Sequence, residues 1–92
     1  MPVTIKLPAQ LRAAAGGEAT VAVDGAGTAG EALEGLFAQH PGLRASLTAD
    51  DGSLRRFVNV YVGGEDIRFT DGLDTAVADG DELQVLPAVA GG

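Results

Sequence analysis

The sequence closes on Leu86-Pro87-Ala88-Val89-Ala90-Gly91-Gly92, two glycines and a carboxylate. A carboxylate is a poor electrophile until it is activated, for example by adenylation. Glycine has no Cβ, so Gly91 and Gly92 leave the terminal carbonyl open and let a protein wall approach the backbone. Ala88, Val89 and Ala90 keep the preceding segment slim. The chemistry these residues allow is acyl activation of Gly92 inside a partner's narrow channel, with Ala88 to Gly91 as the entering tail. They equally fit an idle, frayed terminus, and residue types alone leave both readings open.

Other constellations carry less. Gly25-Ala26-Gly27-Thr28-Ala29-Gly30 matches GxGxxG between a strand and a helix. A dinucleotide site also needs a parallel βαβ unit and an acid closing the second strand, roughly 20 residues on. Asp50 and Asp51 stand at that distance but in a polar loop, and the first strand already has a hairpin partner. The glycines therefore read as a turn before a capped helix. His40 ends that helix, where a donor suits the last carbonyls, and no nucleophile or orienting acid accompanies it. Asp79-Gly80-Asp81-Glu82 lacks the ligand spacing of a calcium loop and reads as a tight turn. Arg55-Arg56 reads as a solvated or salt-bridged strand edge. The chain has no cysteine, which excludes disulfides and thiolate chemistry. No metal set, catalytic triad or phosphate loop is legible, and the body of the chain does not read as an enzyme.

The elements that would position the tail follow from periodicity. Val3 to Leu7 alternates apolar and polar, as a half-buried strand does, and Thr20 to Val23 is a second β-type run. Between them Leu11 to Ala15 can turn helically. Thr28 with Glu31 fits a capping box, and Ala29, Leu33, Leu36, Phe37 and His40 then recur at helical spacing until Pro41-Gly42. Gly30 and Gly35 each cost about 1 kcal/mol against Ala, so this helix depends on packing. Residues 43–56 read as a polar loop around Asp50-Asp51-Gly52-Ser53. Phe57 to Val62 is the strongest strand, Ile67 to Phe69 a short piece, and Leu73, Ala76 and Val77 a small apolar knot between two turns. Glu82 to Leu86 is the last strand, ended by Pro87, which has no N–H for a ladder. With Val58, Val60, Val62, Leu83 and Val85 toward the helix, Phe57, Tyr61 and Leu86 point to the opposite face. They form either a candidate partner-binding patch or a surface covered by loops.

This order predicts an α+β fold of one domain, a mixed four- to five-stranded sheet packed on one main helix. The domain spans 1–87, and 88–92 form a flexible C-terminal Gly-Gly arm. Thirteen acidic against six basic residues give a net charge of −7. That disfavours nucleic acid and anionic membranes and suits a basic protein partner, or simply solubility. Neither a membrane span nor a basic-then-apolar leader is present, so a cytoplasmic location is expected.

The β-β-α-β-β order, the "DGDEL" turn into the last strand and the terminal "GG" resemble the ubiquitin-like β-grasp sulfur carriers of the MoaD/ThiS family. "LRRFVNVYVGGEDIRF" (54–69) and "DGLDTAVADGDELQVLPAVAGG" (71–92) look closest to its CysO branch, the carriers of cysteine biosynthesis. The resemblance implies that an E1-like adenylyltransferase/sulfurtransferase uses ATP to adenylate Gly92, and that sulfur then replaces AMP to give a thiocarboxylate. The acceptor would be a cysteine synthase-like enzyme with pyridoxal phosphate, followed by a metalloprotease, or a thiosugar synthase of a natural-product pathway. ATP and pyridoxal phosphate belong to those partners, and this chain binds no cofactor. Small subunits of molybdopterin synthase usually carry Pro-Pro near the end, where this chain has Pro87-Ala88, and ThiS chains are shorter, without a loop like 43–56. A ubiquitin-like modifier conjugated through Gly92 would use the same tail. A nucleotide-binding enzyme built on GAGTAG and a plain interaction domain are the remaining alternatives.

Overall fold

A computed structural model describes residues 2–55 and 58–87, the last of them, Pro87, by its backbone. Five strands form one sheet: β1 (Val3–Lys6), β2 (Thr20–Val23), β3 (Val58–Val62), β4 (Glu65–Asp66) and β5 (Glu82–Pro87). Their order across the sheet is β2-β1-β5-β3-β4. The central pair β1 and β5 is parallel, and the other neighbours are antiparallel. The sheet is therefore mixed, and with a helix across one face it is the expected β-grasp arrangement.

Strand alternation decides which face is covered. Val3, Ile5, Val21, Val23, Val58, Val60, Leu83 and Val85 are all buried. They meet Ala29, Ala32, Leu33, Leu36 and Phe37 of the main helix, α2 (Ala29–Gln39). A short helix α1 (Ala9–Arg12) with a 3-10 turn at Ala13–Ala15 fills the stretch between β1 and β2, as the sequence allowed.

Thr28 caps α2 by accepting the Glu31 N–H on Oγ1 at 3.1 Å. Glu31 reaches back one residue further than a capping box requires, accepting the Gly27 N–H on Oε1 at 2.7 Å. The two glycines inside α2 are explained by their neighbours. A Cβ at Gly35 would collide with Cγ1 of Val23, and one at Gly30 would lie 3.1 Å from the Leu73 carbonyl oxygen. Bare backbone at these positions lets β2 and the Leu73 turn lie directly on the helix.

Three expectations are corrected. Residues 43–56 are not all loop: Gly42–Leu47 form helix α3, whose Leu43 and Leu47 are fully buried. Residues 48–55 are loop, folded on itself by Asp51, which accepts the Ser53 hydroxyl at 2.6 Å and the Ser53 N–H at 3.0 Å, and Arg56 lies outside the described residues. Those bonds hold the Asp51 carboxyl below its ordinary pKa. The short strand is Glu65–Asp66, and Ile67–Phe69 is a 3-10 turn whose Arg68 N–H donates to the Asp66 carboxylate at 2.9 Å. The apolar knot does not form. Val77 is buried, Ala76 is exposed, and Leu73, 37% exposed, lies outside against α2. Among the described residues no helix is long and apolar enough to cross a membrane.

Candidate functional site

The tail residues Ala88, Val89, Ala90, Gly91 and Gly92 lie outside the described residues, but the strand that launches them does not. β5 runs through the middle of the sheet, paired with β1 as far as Gln84 and with β3 as far as Pro87. The Asp81 carbonyl turns to β1, accepting the Thr4 N–H at 3.0 Å, while the Glu82 carbonyl turns to β3, accepting the Gly63 N–H at 3.5 Å. Alternation along the strand puts position 87 on the β1 side, where proline has no N–H to present. Meanwhile β1 has turned away, with the Leu7 N–H bonded to the Ala19 carbonyl at 2.8 Å. The last residues of β5 thus leave the sheet held by β3 alone.

The space vacated by β1 is a groove of about 390 Å³ at the root of the tail. Leu7, Pro8 and Leu86 supply apolar walls, and Lys6 and Arg12 line it as well. The Arg12 Nε–H donates to the Leu7 carbonyl at 3.3 Å, and the Lys6 ammonium lies 3.4 Å from the Glu82 carboxylate. Nothing in the residue pattern singled out Lys6 or Arg12. Only the parallel β1–β5 pairing brings them beside Leu86.

The uncovered sheet face carries two of the three residues expected there. Tyr61 pairs with Gln84 and Leu86 with Asn59, so Tyr61 and Leu86 are diagonal neighbours on one face, both half-buried. Lys6, Glu82 and Gln84 surround them, so the face is more polar than the strand pattern suggested. Phe57 lies outside the described residues. Phe69, which no periodicity marked, is 85% exposed on the turn after β4.

The GxGxxG match is structural. β2 is an edge strand antiparallel to β1, so no βαβ unit exists around it. The N–H groups a phosphate would need are taken: Gly27 by Glu31, Glu31 by Thr28, and Ala29 by the Thr75 carbonyl at 2.8 Å. The adjacent hollow is lined by Asp24, Glu31, Glu34 and Asp74, a set that repels anions. His40 caps α2 through its backbone, donating to Leu36 at 2.9 Å and accepting from Leu43 at 2.9 Å. The Asp81 carboxylate accepts the Ala78 N–H at 2.9 Å, which makes 79–82 a turn. Among the described residues no group of His, Asp and Glu is placed to hold a metal ion.

A β-grasp body whose central strand runs out into Gly-Gly defines a ubiquitin-like carrier. The chain belongs to the ThiS family, whose profile matches residues 5–92. It is 46% identical over 94 aligned positions to the sulfur carrier protein CysO of Mycobacterium tuberculosis, covering 100% of both chains. It is also 42% identical to small archaeal modifier protein 1 of Haloferax volcanii, over 95% of this chain and 97% of that one. Among solved structures, a chain of the Amycolatopsis orientalis BexX/CysO complex superposes with a TM-score of 0.88 at 46% identity, covering 98% of this chain and 99% of its own.

Proposed function

We propose that this chain is a sulfur carrier whose working group is the Gly92 carboxylate. The observation that supports this most is the full-length similarity to CysO, 46% identical with both chains wholly covered. In this reading an E1-like adenylyltransferase joins the Gly92 carboxylate to the α-phosphate of ATP, releasing pyrophosphate. A sulfur nucleophile then displaces AMP, leaving a thiocarboxylate. Residues 88–92 act as the arm, with Ala88, Val89, Ala90 and Gly91 occupying the channel of the activating enzyme. The described domain supplies the grip: Tyr61 and Leu86 on the open sheet face anchor that enzyme, and Phe57, outside the described residues, is a third candidate contact. ATP belongs to the activating enzyme.

The sulfur acceptor is a cysteine synthase-like enzyme carrying pyridoxal phosphate, with a metalloprotease to free the product, or a thiosugar synthase. The first alternative is supported by the similarity to CysO carriers. The whole sequence of reactions is placed in the cytoplasm. A second reading, conjugation of Gly92 to lysines of target proteins, is favoured by the 42% identity to small archaeal modifier protein 1.

Intact mass after incubation with the activating enzyme, ATP and sulfide tests the proposal. The expected product gains the mass of sulfur in place of oxygen, mapped to Gly92. Deleting Gly92 abolishes that gain while the thermal midpoint holds, since among the described residues the buried core runs from Val3 to Val85 and glycine adds no side chain to it. An unmodified wild-type chain would overturn the carrier reading, and lysine-linked adducts in extract would favour the modifier.

A further inference from the structure

The geometry points to a second contact for the enzyme that handles the tail: the groove beside Leu86, where Lys6 and Arg12 receive an acidic segment at the mouth of that enzyme's channel. This rests on the carrier reading and adds a partner of stated chemistry to it.

Charge is the first argument. The chain carries −7 with only six basic residues, yet two of the six, Lys6 and Arg12, line this one groove. None of the described residues lining it is acidic, and the Glu82 carboxylate stands 3.4 Å from the Lys6 ammonium. The hollow beside α2, lined by Asp24, Glu31, Glu34 and Asp74, carries the opposite sign. A long-range field set by −7 disfavours an acidic partner over most of the surface, and the two cations of this groove locally reverse that sign beside the root of the tail. Such a local reversal fixes where and in what orientation the partner sits.

Position is the second. Residues 88–92 follow Pro87 directly, and an extended chain advances at most about 3.6 Å per residue, so Gly92 reaches no more than roughly 18 Å from the sheet. A channel that uses this reach for a buried reaction centre must rest its mouth close to Leu86 and Pro87. On one flank of β5 that mouth meets β3 and the Tyr61 face, and on the other it meets the groove. The groove is therefore continuous with the surface that delivery of Gly92 requires.

The donors are the third. The Arg12 Nε–H is engaged by the Leu7 carbonyl, which orients the guanidinium, and among the described residues its terminal nitrogens carry no ion pair. A guanidinium so held presents two parallel N–H donors that match a carboxylate. Lys6, shared with Glu82 and half-exposed, adds a point charge at the same rim. Leu7, Pro8 and Leu86 offer an apolar wall for the aliphatic part of the incoming segment.

The test is thiocarboxylate formation with the full-length chain, its activating enzyme, ATP and sulfide, followed by intact mass at low and high salt. Contacts in the groove are the same before and after reaction at Gly92, so they act on KM and not on kcat. Arg12→Glu is expected to raise KM about tenfold, which corresponds to 1.4 kcal/mol. Arg12→Gln and Lys6→Gln raise it several-fold, and Arg12→Lys, which keeps the charge but loses the oriented fork, falls between wild type and Arg12→Gln. Salt raises the wild-type KM and leaves that of Arg12→Glu nearly flat. Thermal midpoints of all four variants check the fold, and Lys6→Gln carries the test if Arg12→Glu is unfolded. An unchanged KM in the folded charge-removing variants, a loss confined to kcat, or an Arg12→Lys as impaired as Arg12→Glu overturns the groove contact while wild-type loading leaves the carrier reading standing. A wild-type chain that is not loaded at all overturns both.

Discussion

Gly35 carries a conflict between local and tertiary preference. In a helix interior Ala is favoured over Gly by about 1 kcal/mol, but a Cβ here would collide with Cγ1 of Val23, a stiff β-branched side chain buried on edge strand β2. Overpacking costs about 1–3 kcal/mol, so Gly35→Ala is expected to destabilise, and Gly35→Ala with Val23→Ala to lose less than the sum of the single changes. Urea denaturation of the four chains reads this coupling, and strict additivity would refute the close approach. At the surface, Glu34 and Arg44 form a two-pronged pair at 2.9 and 3.1 Å, with the guanidinium 4.9 Å above the Phe37 ring centroid. The hydrogen bonds from Arg44 hold the Glu34 carboxyl below its ordinary pKa. A depressed folded value means the pair's contribution is present above the unfolded carboxylate range and is lost as pH falls through the folded value. Carboxyl NMR titration is expected to show the Glu34 midpoint moving up in Arg44→Gln. Both glycines of α2 were readable as a propensity penalty, but the reason for them was not, because Val23 and Leu73 are neighbours only in space.

At the scale of elements, α3 separates pattern from packing. Leu43 and Leu47 are four apart, the spacing of one helical face, but six residues after Pro41 are too few for periodicity to stand out from the polar run at 50–53. Both side chains are fully buried beside α2, so the helix is held by the core and not by propensity. Leu47→Ala is expected to cost about 2–5 kcal/mol in urea denaturation, the range for an emptied core site. A loop residue would respond by less than about 0.5 kcal/mol, and that result would remove α3 from the core. The longer elements were legible because they repeat their pattern: β2 spans Thr20–Val23 as read, and α2 starts at its Thr28 cap and ends before Pro41. The Leu73 knot misread apolar composition as burial. A 3-10 turn at Gly72–Asp74 throws Leu73 outward onto the Gly30 side of α2.

For the whole molecule, one helical layer covers one sheet face and leaves the other without a helix across it. Tyr61→Ala and Leu86→Asp remove the two described apolar groups of that face, which are half-buried and outside the core cluster. Each is expected to weaken binding to the activating enzyme by tenfold or more, about 1.4 kcal/mol, with a smaller loss of folding stability. Isothermal titration with an unchanged Kd would remove the face from the interface. What the sequence determined by itself was whatever is local or periodic: strand alternation, the capped helix, the glycine turns, the net charge and the Gly-Gly end with its family. Strand order, the placement of Tyr61 beside Leu86, and the groove joining Lys6 and Arg12 to the root of the tail were decided only by tertiary structure. They depend on β5 pairing in parallel with β1 from the far end of the chain, and no local preference of either strand specifies that partner.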